Sequence, residues 1–421
     1  MTVDLLSPEE RAAIMRRPRV AERRASLPIL GSRPALLPAR AEDHAVRPFI
    51  AVWEITLRCD LGCRHCGSRA GLARKAELDT QEALDLVRQL SELGVREVTL
   101  IGGEVYLRED WLLLLRAVRD RGMLPTVVTG GRGMSLTRAR AAKEAGVHSV
   151  SVSIDGAQST HDRLRGLAGS HEAAVEALHN LSRAEVPIAV NTQVNRLTMR
   201  DLPAVLDTLS ATGALSWQVL LTVPMGRAAD EPDVLLQPYD LLTVFPLLEA
   251  LALEARARGI DFVAGNNVGY FGPHERTLRR GLAYQHSGSC GAGITTLGIE
   301  ADGTIKGCPS LATDTWAGGN IRDSSLLELW ERAPALRTNR DPPRLWGYCA
   351  SCYYASECRG GCTWMADSLL GRGGNNPYCH HRAEQLSAVG VRERVVQVQG
   401  APGQPFDRGR FEIVEEPFVG G

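Results

Sequence analysis

The chain has 421 residues, a net charge of −1 and a hydrophobic content of 44%, enough for two or three domains with ample cores. The near-neutral balance argues against a nucleic-acid surface. There is no signal-peptide h-region and no apolar run near the ~18 residues of a membrane span, so the expected setting is cytoplasmic, with no membrane partner. There, the ten cysteines point to metal or redox chemistry rather than disulfides.

Residues 1–47 are rich in Arg and Pro and read as a flexible N-terminal arm, with a short helix capped by Ser7 and Glu10. From Phe49 a strand–helix alternation begins. FIAVWEIT is a strand, TQEALDLVRQLSELG a helix closed by Gly94, VREVTLIGG a strand and DWLLLLRAVRDRG a helix closed by Gly122. The unit recurs through LPTVVTGG, HSVSVSID, VPIAVNTQVN and LSWQVLLTVP, the last followed by the long helix YDLLTVFPLLEALALEARARG. Six β/α units predict an α/β fold, a partial (β/α)6 TIM-like barrel over 48–265, with functional groups at the C-terminal strand ends. Residues 266–289 read as a linker. Residues 290–382 read as a small Cys-rich domain held together by metal, and 383–421 as a tail with one strand in RFEIVEE.

The cysteines fall into two groups, Cys59, Cys63 and Cys66 in CDLGCRHC after the first strand, and Cys290, Cys308, Cys349, Cys352, Cys358, Cys362 and Cys379 further on. Core packing accounts for a single cysteine, not for this clustering. A zinc site borrowing His65 competes at the first group and a zinc ribbon at the second.

The spacing C-x3-C-x2-C on that loop resembles the signature of the radical S-adenosylmethionine (SAM) superfamily. The resemblance implies a [4Fe–4S] cluster held by Cys59, Cys63 and Cys66, its fourth iron open to the SAM amino and carboxylate groups. Reductive cleavage of SAM would then give a 5′-deoxyadenosyl radical that abstracts a substrate hydrogen. IGGE at the end of the second strand fits: Gly102 and Gly103 would let their carbonyls approach the SAM ammonium, and Glu104 would stabilise it. Val105 stands where the family often has Pro. Ser153 and Asp155 resemble ribose-contacting positions, with Asn191 a further ribose candidate, and Arg165 resembles an Arg that reaches the SAM carboxylate. VPMGRA loosely matches an adenine-contacting segment, and TGG stands where TNG is common.

The later cysteines resemble the SPASM domain, which carries auxiliary [4Fe–4S] clusters. By its interleaved ligation Cys349, Cys352, Cys358 and Cys379 would hold one cluster, and Cys290, Cys308 and Cys362 the other, which lacks a visible fourth ligand.

The resemblance implies an oxidoreductase-type maturase that oxidises, cross-links or epimerises a ribosomally made peptide, served by a flavodoxin- or ferredoxin-type reductant. Only 47 residues precede the first strand, fewer than the roughly 80–90 of a winged-helix leader-binding domain, itself a small domain. Leader recognition is therefore expected in a separate protein or on the SPASM face. The alternatives are oxidation of a small metabolite or of a residue in a folded protein, and, outside enzymes, an iron–sulfur electron carrier or a zinc-stabilised binding module. Tyr270, His274 and Arg227 are the candidate catalytic or substrate-contacting groups, with Gln218, Asn266 and Asn267 beside them.

Overall fold

A computed structural model describes residues 46–280 and 289–418; the expected arm lies almost wholly outside these residues. The strands are β1 (Ile50–Thr56), β2 (Glu97–Gly102), β3 (Leu124–Thr129), β4 (Ser149–Ser153), β5 (Ile188–Val194), β6 (Ser216–Leu221), β7 (Asp261–Ala264), β8 (Thr296–Ile299), β9 (Thr304–Lys306) and β10 (Ala317–Asn320). They form one sheet in the order β10-β9-β8-β1-β2-β3-β4-β5-β6-β7. The run from β8 to β7 is parallel throughout, and β9 and β10 are antiparallel additions at the β8 edge.

Helices α1 (Thr80–Leu93), α2 (Trp111–Asp120), α3 (Leu136–Ala145), α4 (Gln158–Arg165), α5 (Ser170–Arg183), α6 (Leu202–Thr212) and α7 (Leu241–Ala257) connect the strands. Local chemistry sets their ends. In α1, Asp79 and Glu82 form a reciprocal capping box, and Gly94, at φ 87°, closes the C-terminus. The helix buries Ala83, Leu86, Val87, Leu90 and Leu93 at the spacing of one helical face. These pack on a sheet whose β1 side chains Ala51, Trp53 and Ile55 are fully buried.

The parallel α/β partial barrel matches the expectation, but the sheet is longer. Strand β7 follows α7, and β8 comes from the cysteine-rich region and pairs with β1. Each has only four residues, too few for a period-two pattern to stand out. The stretch Pro232–Ala257 is apolar and long enough to cross a membrane, yet 67% of its most apolar window is buried inside the fold.

Two expectations about connecting segments are corrected. The described part of the 266–289 segment is built into the core through Val268, Tyr270 and Leu278. The expected tail at 383–421 is structured through Phe418. After α8 (Leu326–Arg332), α9 (Thr363–Leu370) and α10 (His380–Ala388), strands β11 (Val391–Gln399) and β12 (Arg410–Pro417) form an antiparallel hairpin. The Gln237 amide donates to Val395 O and accepts from Val395 N at 3.2 and 2.7 Å. A buried Arg382–Glu393 pair joins α10 to β11. The polar residues of these strands hide the hairpin from a reading based on apolar runs.

Candidate functional site

The loop after β1 carries Cys59, Cys63 and Cys66 to the C-terminal edge of the sheet. Glu77 braces its base, its Oε1 accepting from Leu57 N (2.8 Å), Thr56 Oγ1 (3.1 Å) and Arg74 N (3.0 Å). Cys59 N bonds to Gly71 O and Gly71 N to Leu57 O, each at 3.0 Å, which draws the loop closed. Its three cysteines line a cavity of about 240 Å³ together with Gly102, Gly103, Glu104, Ser153, Asp155, Arg165, Asn191 and Arg227. Strand register contributes directly: Ser153 pairs with Asn191 across β4 and β5.

Gly102 and Gly103 line this cavity for a reason the sequence does not show. A Cβ on Gly103 would lie 2.1 Å from Arg58 O, and one on Gly102 2.2 Å from Thr56 O. These glycines let the end of β2 pack against the chain entering the cysteine loop. The TGG segment has a similar cause, since a Cβ on Gly130 would lie 2.7 Å from Leu61 of the same loop.

Glu104 is buried. It accepts from Thr129 Oγ1 at 2.7 Å, Gly130 N at 2.9 Å and Val105 N at 3.2 Å. Burial pushes its carboxyl up to about 7 against these bonds, and the charge of Asp60 adds to the rise. A carboxylate so placed favours a cationic ligand in the cavity.

Asp155 and Arg165, expected at the ribose and carboxylate of SAM, face each other, with Arg165 Nη2 2.6 Å from Asp155 Oδ2. Asp155 Oδ1 accepts from Gln193 N at 2.9 Å. Burial is the largest influence and opposes the Asp155 charge, but Arg165, the neighbouring histidines and the Gln193 N–H together hold the carboxyl below its usual range.

His65, a spacer by sequence, is nearly enclosed, with 6% of its side chain accessible, and lines the cavity. Its Nε2 lies 3.4 Å from Asp155 Oδ2, and its Nδ1 is buried with no hydrogen-bond partner among the described residues. Burial pushes its pKa down to about 4, so the ring is neutral. Gln193 also lines the cavity. Only the period-two phase of β5, which sets it on the same face as Asn191, hinted at it.

Of the candidate catalytic groups, Arg227 reaches this cavity but spends its donors on the loop, giving Nε to Cys63 O at 2.6 Å and Nη2 to Ala70 O at 3.1 Å. Tyr270 lies instead between the later cysteines. Its hydroxyl donates to Asn266 O (2.7 Å) and accepts from Cys362 N (3.1 Å). His274 is paired with Glu249 at 2.5 Å and is absent from the cavity lining. Asn267 ties β6 to the chain after β7 through both the N–H and C=O of Leu221. Gln218, in β6, is absent from the cavity lining.

Cys349, Cys352, Cys358 and Cys379 line one small pocket with Tyr270, Phe271, Tyr348, Tyr354 and His381. Cys362 lies within electrostatic reach of both Cys290 and Cys308. The two later groups are thus brought together as the interleaved order implies. Among the described residues no three or more His, Cys, Asp or Glu side chains converge tightly enough for a single ion. A tetrahedral zinc needs its sulfurs within about 3.8 Å of one another, whereas an iron–sulfur cube spreads its ligands over several corners. Burial pushes Cys59 and Cys358 up to about 12 and Cys308 to about 11. Such sites keep thiols protonated unless coordination to metal stabilises the thiolate, so the donor set fits clusters.

Comparison with known proteins agrees with this geometry. The Radical SAM superfamily profile matches residues 53–209, and the SPASM iron–sulfur cluster-binding domain profile matches residues 290–353. An AdoMet-dependent heme synthase of Methanosarcina barkeri is 28% identical over 80% of this chain and 97% of its own length. The mycofactocin maturase MftC of Mycobacterium ulcerans is 32% identical over 75% of this chain and 83% of its own. Among solved structures, anSMEcpe with bound AdoMet and Kp18Cys peptide superposes with a TM-score of 0.64 at 19% identity, covering 80% of this chain and 95% of that one. Streptococcus suis SuiB bound to the precursor peptide SuiA gives 0.60 at 18% identity, covering 76% and 72%. The chain belongs to the radical SAM superfamily: it is an iron–sulfur enzyme that uses S-adenosylmethionine and carries auxiliary iron–sulfur clusters in a C-terminal SPASM region.

Proposed function

We propose that the chain oxidises a carbon centre of a ribosomally made peptide, with hydrogen abstraction at the C-terminal mouth of the parallel sheet. When bound, the cluster and SAM together supply a 5′-deoxyadenosyl radical. The chain's own residues hold and shield the reactants. Cys59, Cys63 and Cys66 present three thiolates and leave one metal position free of protein. Glu104 would receive the amino group of SAM, Ser153 and Asn191 would face its ribose, and Arg165, which binds Asp155 and lies with Nη1 3.8 Å from Cys63 Sγ, would be the cation nearest its carboxylate.

The observation that carries this reading is the convergence of the three-cysteine loop and buried Glu104 on one cavity, with two further cysteine groups in the same chain. Clusters held by those cysteines would offer a sink for the electron left on the substrate after hydrogen loss, which favours net oxidation. Peptide substrates are favoured by the maturase relative, the most identical of those described above. A cytoplasmic flavodoxin or ferredoxin would serve as reductant, and a separate protein would present the leader peptide. The second reading, oxidation of an iron tetrapyrrole, is favoured by the heme synthase relative, which matches along nearly its whole length.

The two are separated by anaerobic turnover with SAM and a reductant. Short peptides encoded beside the gene are offered in one series and Fe-coproporphyrin III in the other. A peptide product lighter by two hydrogens, formed with 5′-deoxyadenosine, supports the first reading. Conversion of the tetrapyrrole with no peptide product overturns it.

A further inference from the structure

We propose that Asp407, in the C-terminal hairpin, is a positioning residue for the SAM cluster and acts through Arg69. The inference rests on the reading that Cys59, Cys63 and Cys66 hold that cluster.

Three residues beyond Cys66 the chain reverses at Arg69, whose φ is 51°. This left-handed conformation is uncommon for a residue with a Cβ. The reversal brings Ala70 N–H to 3.4 Å from Cys66 Sγ. Hydrogen bonds to cluster sulfurs are among the features that set the reduction potential. The question is what holds Arg69 in this unfavourable turn.

Its guanidinium is gripped on every side. Nε donates to Asp407 Oδ1 at 2.7 Å, Nη1 and Nη2 donate to Asp230 at 2.6 and 2.8 Å, and Nη2 also reaches Gly226 O at 3.0 Å. Asp230 is half exposed, with 43% of its side chain accessible, whereas Asp407 is nearly enclosed at 6%. Asp230 takes two guanidinium nitrogens and is the stronger single partner, while Asp407 adds a contact from a nearly enclosed carboxylate that solvent screens less. Asp407 is itself fixed, because Oδ2 accepts from Gly403 N at 2.5 Å and Gln404 N at 2.9 Å, and its carbonyl accepts from Gly226 N at 2.8 Å.

The residues on either side of Asp407 anchor it to the auxiliary region. Arg408 donates to Asp367 in α9 at 3.0 Å and to Thr315 at 2.8 Å. Phe406 lies under the Lys306 ammonium, 3.8 Å from ring centroid to Nζ, two residues before Cys308. A three-residue stretch thus spans the cysteine loop and the neighbourhood of the second three-cysteine group. Its place at the hairpin's turn lets Asp407 hold the Arg69 turn from a fixed frame.

The test uses the full chain with its clusters reconstituted. Asp407→Ala is expected to keep its full iron content and to shift the SAM cluster midpoint to a more negative value, because a weakened N–H···S bond disfavours the reduced cluster. The reduced-cluster EPR signal should shift with it. Asp407→Asn, which keeps an acceptor but no charge, should give a smaller shift in the same direction. An Asp407→Ala protein with full iron and a wild-type midpoint and EPR signal overturns the proposal. If that variant does not load, Arg69→Lys, which lacks the guanidinium fork, probes the contact from the other side. A negative shift supports the role and a wild-type midpoint overturns it. A Cys59→Ala, Cys63→Ala, Cys66→Ala protein that loses no iron would instead overturn the cluster assignment beneath it.

Discussion

Arg165 gives Nε and Nη2 to one oxygen of Asp155, at 2.8 and 2.6 Å, while its Nη1 turns to Cys63 Sγ at 3.8 Å. One guanidinium therefore ties the end of β4 to the cysteine loop. Removing one member leaves the other buried and uncompensated, which costs about 3–5 kcal/mol. Asp155→Ala should lose stability on that scale in urea unfolding and weaken SAM binding. Asp155→Asn should lose less, since it retains an acceptor for Arg165. Wild-type unfolding midpoints for both would contradict a structural role for this pair.

The cysteine loop can be emptied separately from the later groups. A Cys59→Ala, Cys63→Ala, Cys66→Ala triple variant should hold about eight irons instead of about twelve after anaerobic reconstitution, on the basis of three [4Fe–4S] clusters. It should form no 5′-deoxyadenosine. Iron analysis and chromatography of the nucleoside products check both outcomes.

On the proposal that Glu104 receives the amino group of SAM, SAM affinity should depend on pH. Its carboxyl stands at about 7 in the fold against a reference of 4.5, so the folded state holds a proton that the unfolded state has released. The stability this contributes is complete below pH 4.5 and is lost as pH rises through 7. The carboxylate is the better acceptor for the N–H groups of the SAM amino group, so SAM affinity should fall as pH drops below about 7, by at most about tenfold per pH unit. Glu104→Gln should bind SAM weakly, with a flat profile over the same range. Calorimetric titration from pH 5.5 to 8 measures both.

Gly103→Ala tests the packing account of the GGE segment. Its Cβ would meet backbone at 2.1 Å from Arg58 O and 2.6 Å from Leu57 O, so β2 or the cysteine loop must move. Overpacking of this kind costs typically about 1–3 kcal/mol. Iron bound by the first cysteine group should fall while iron in the later groups persists. Normal loading of both would show that the glycines serve only approach to SAM.

The cysteine spacing, the GGE segment and the strand–helix alternation were legible because each rests on local chemistry. Thiols at short intervals suit a cluster, glycine marks close backbone approach, and the capped α1 announces itself through Asp79, Glu82 and Gly94. The partial barrel and the grouping of the cysteines followed from these patterns.

What the tertiary structure decided depends on residues distant in the chain. Arg227 grips Cys63 O across 164 positions, and Asp407 grips Arg69 across 338. No periodicity encodes such contacts. The C-terminal segment read as a tail because the hairpin is largely polar, with hydrogen bonds from Gln237 to Val395 and from Arg382 to Glu393 adding to the burial of only a few apolar residues, Val395 and Phe411 among them. His65 looked like a spacer until the fold enclosed it beside Asp155. Sequence named the cysteines expected to bind iron; only the fold decided which distant groups hold them in place, because those contacts form when the sheet and the C-terminal hairpin close on the same loop.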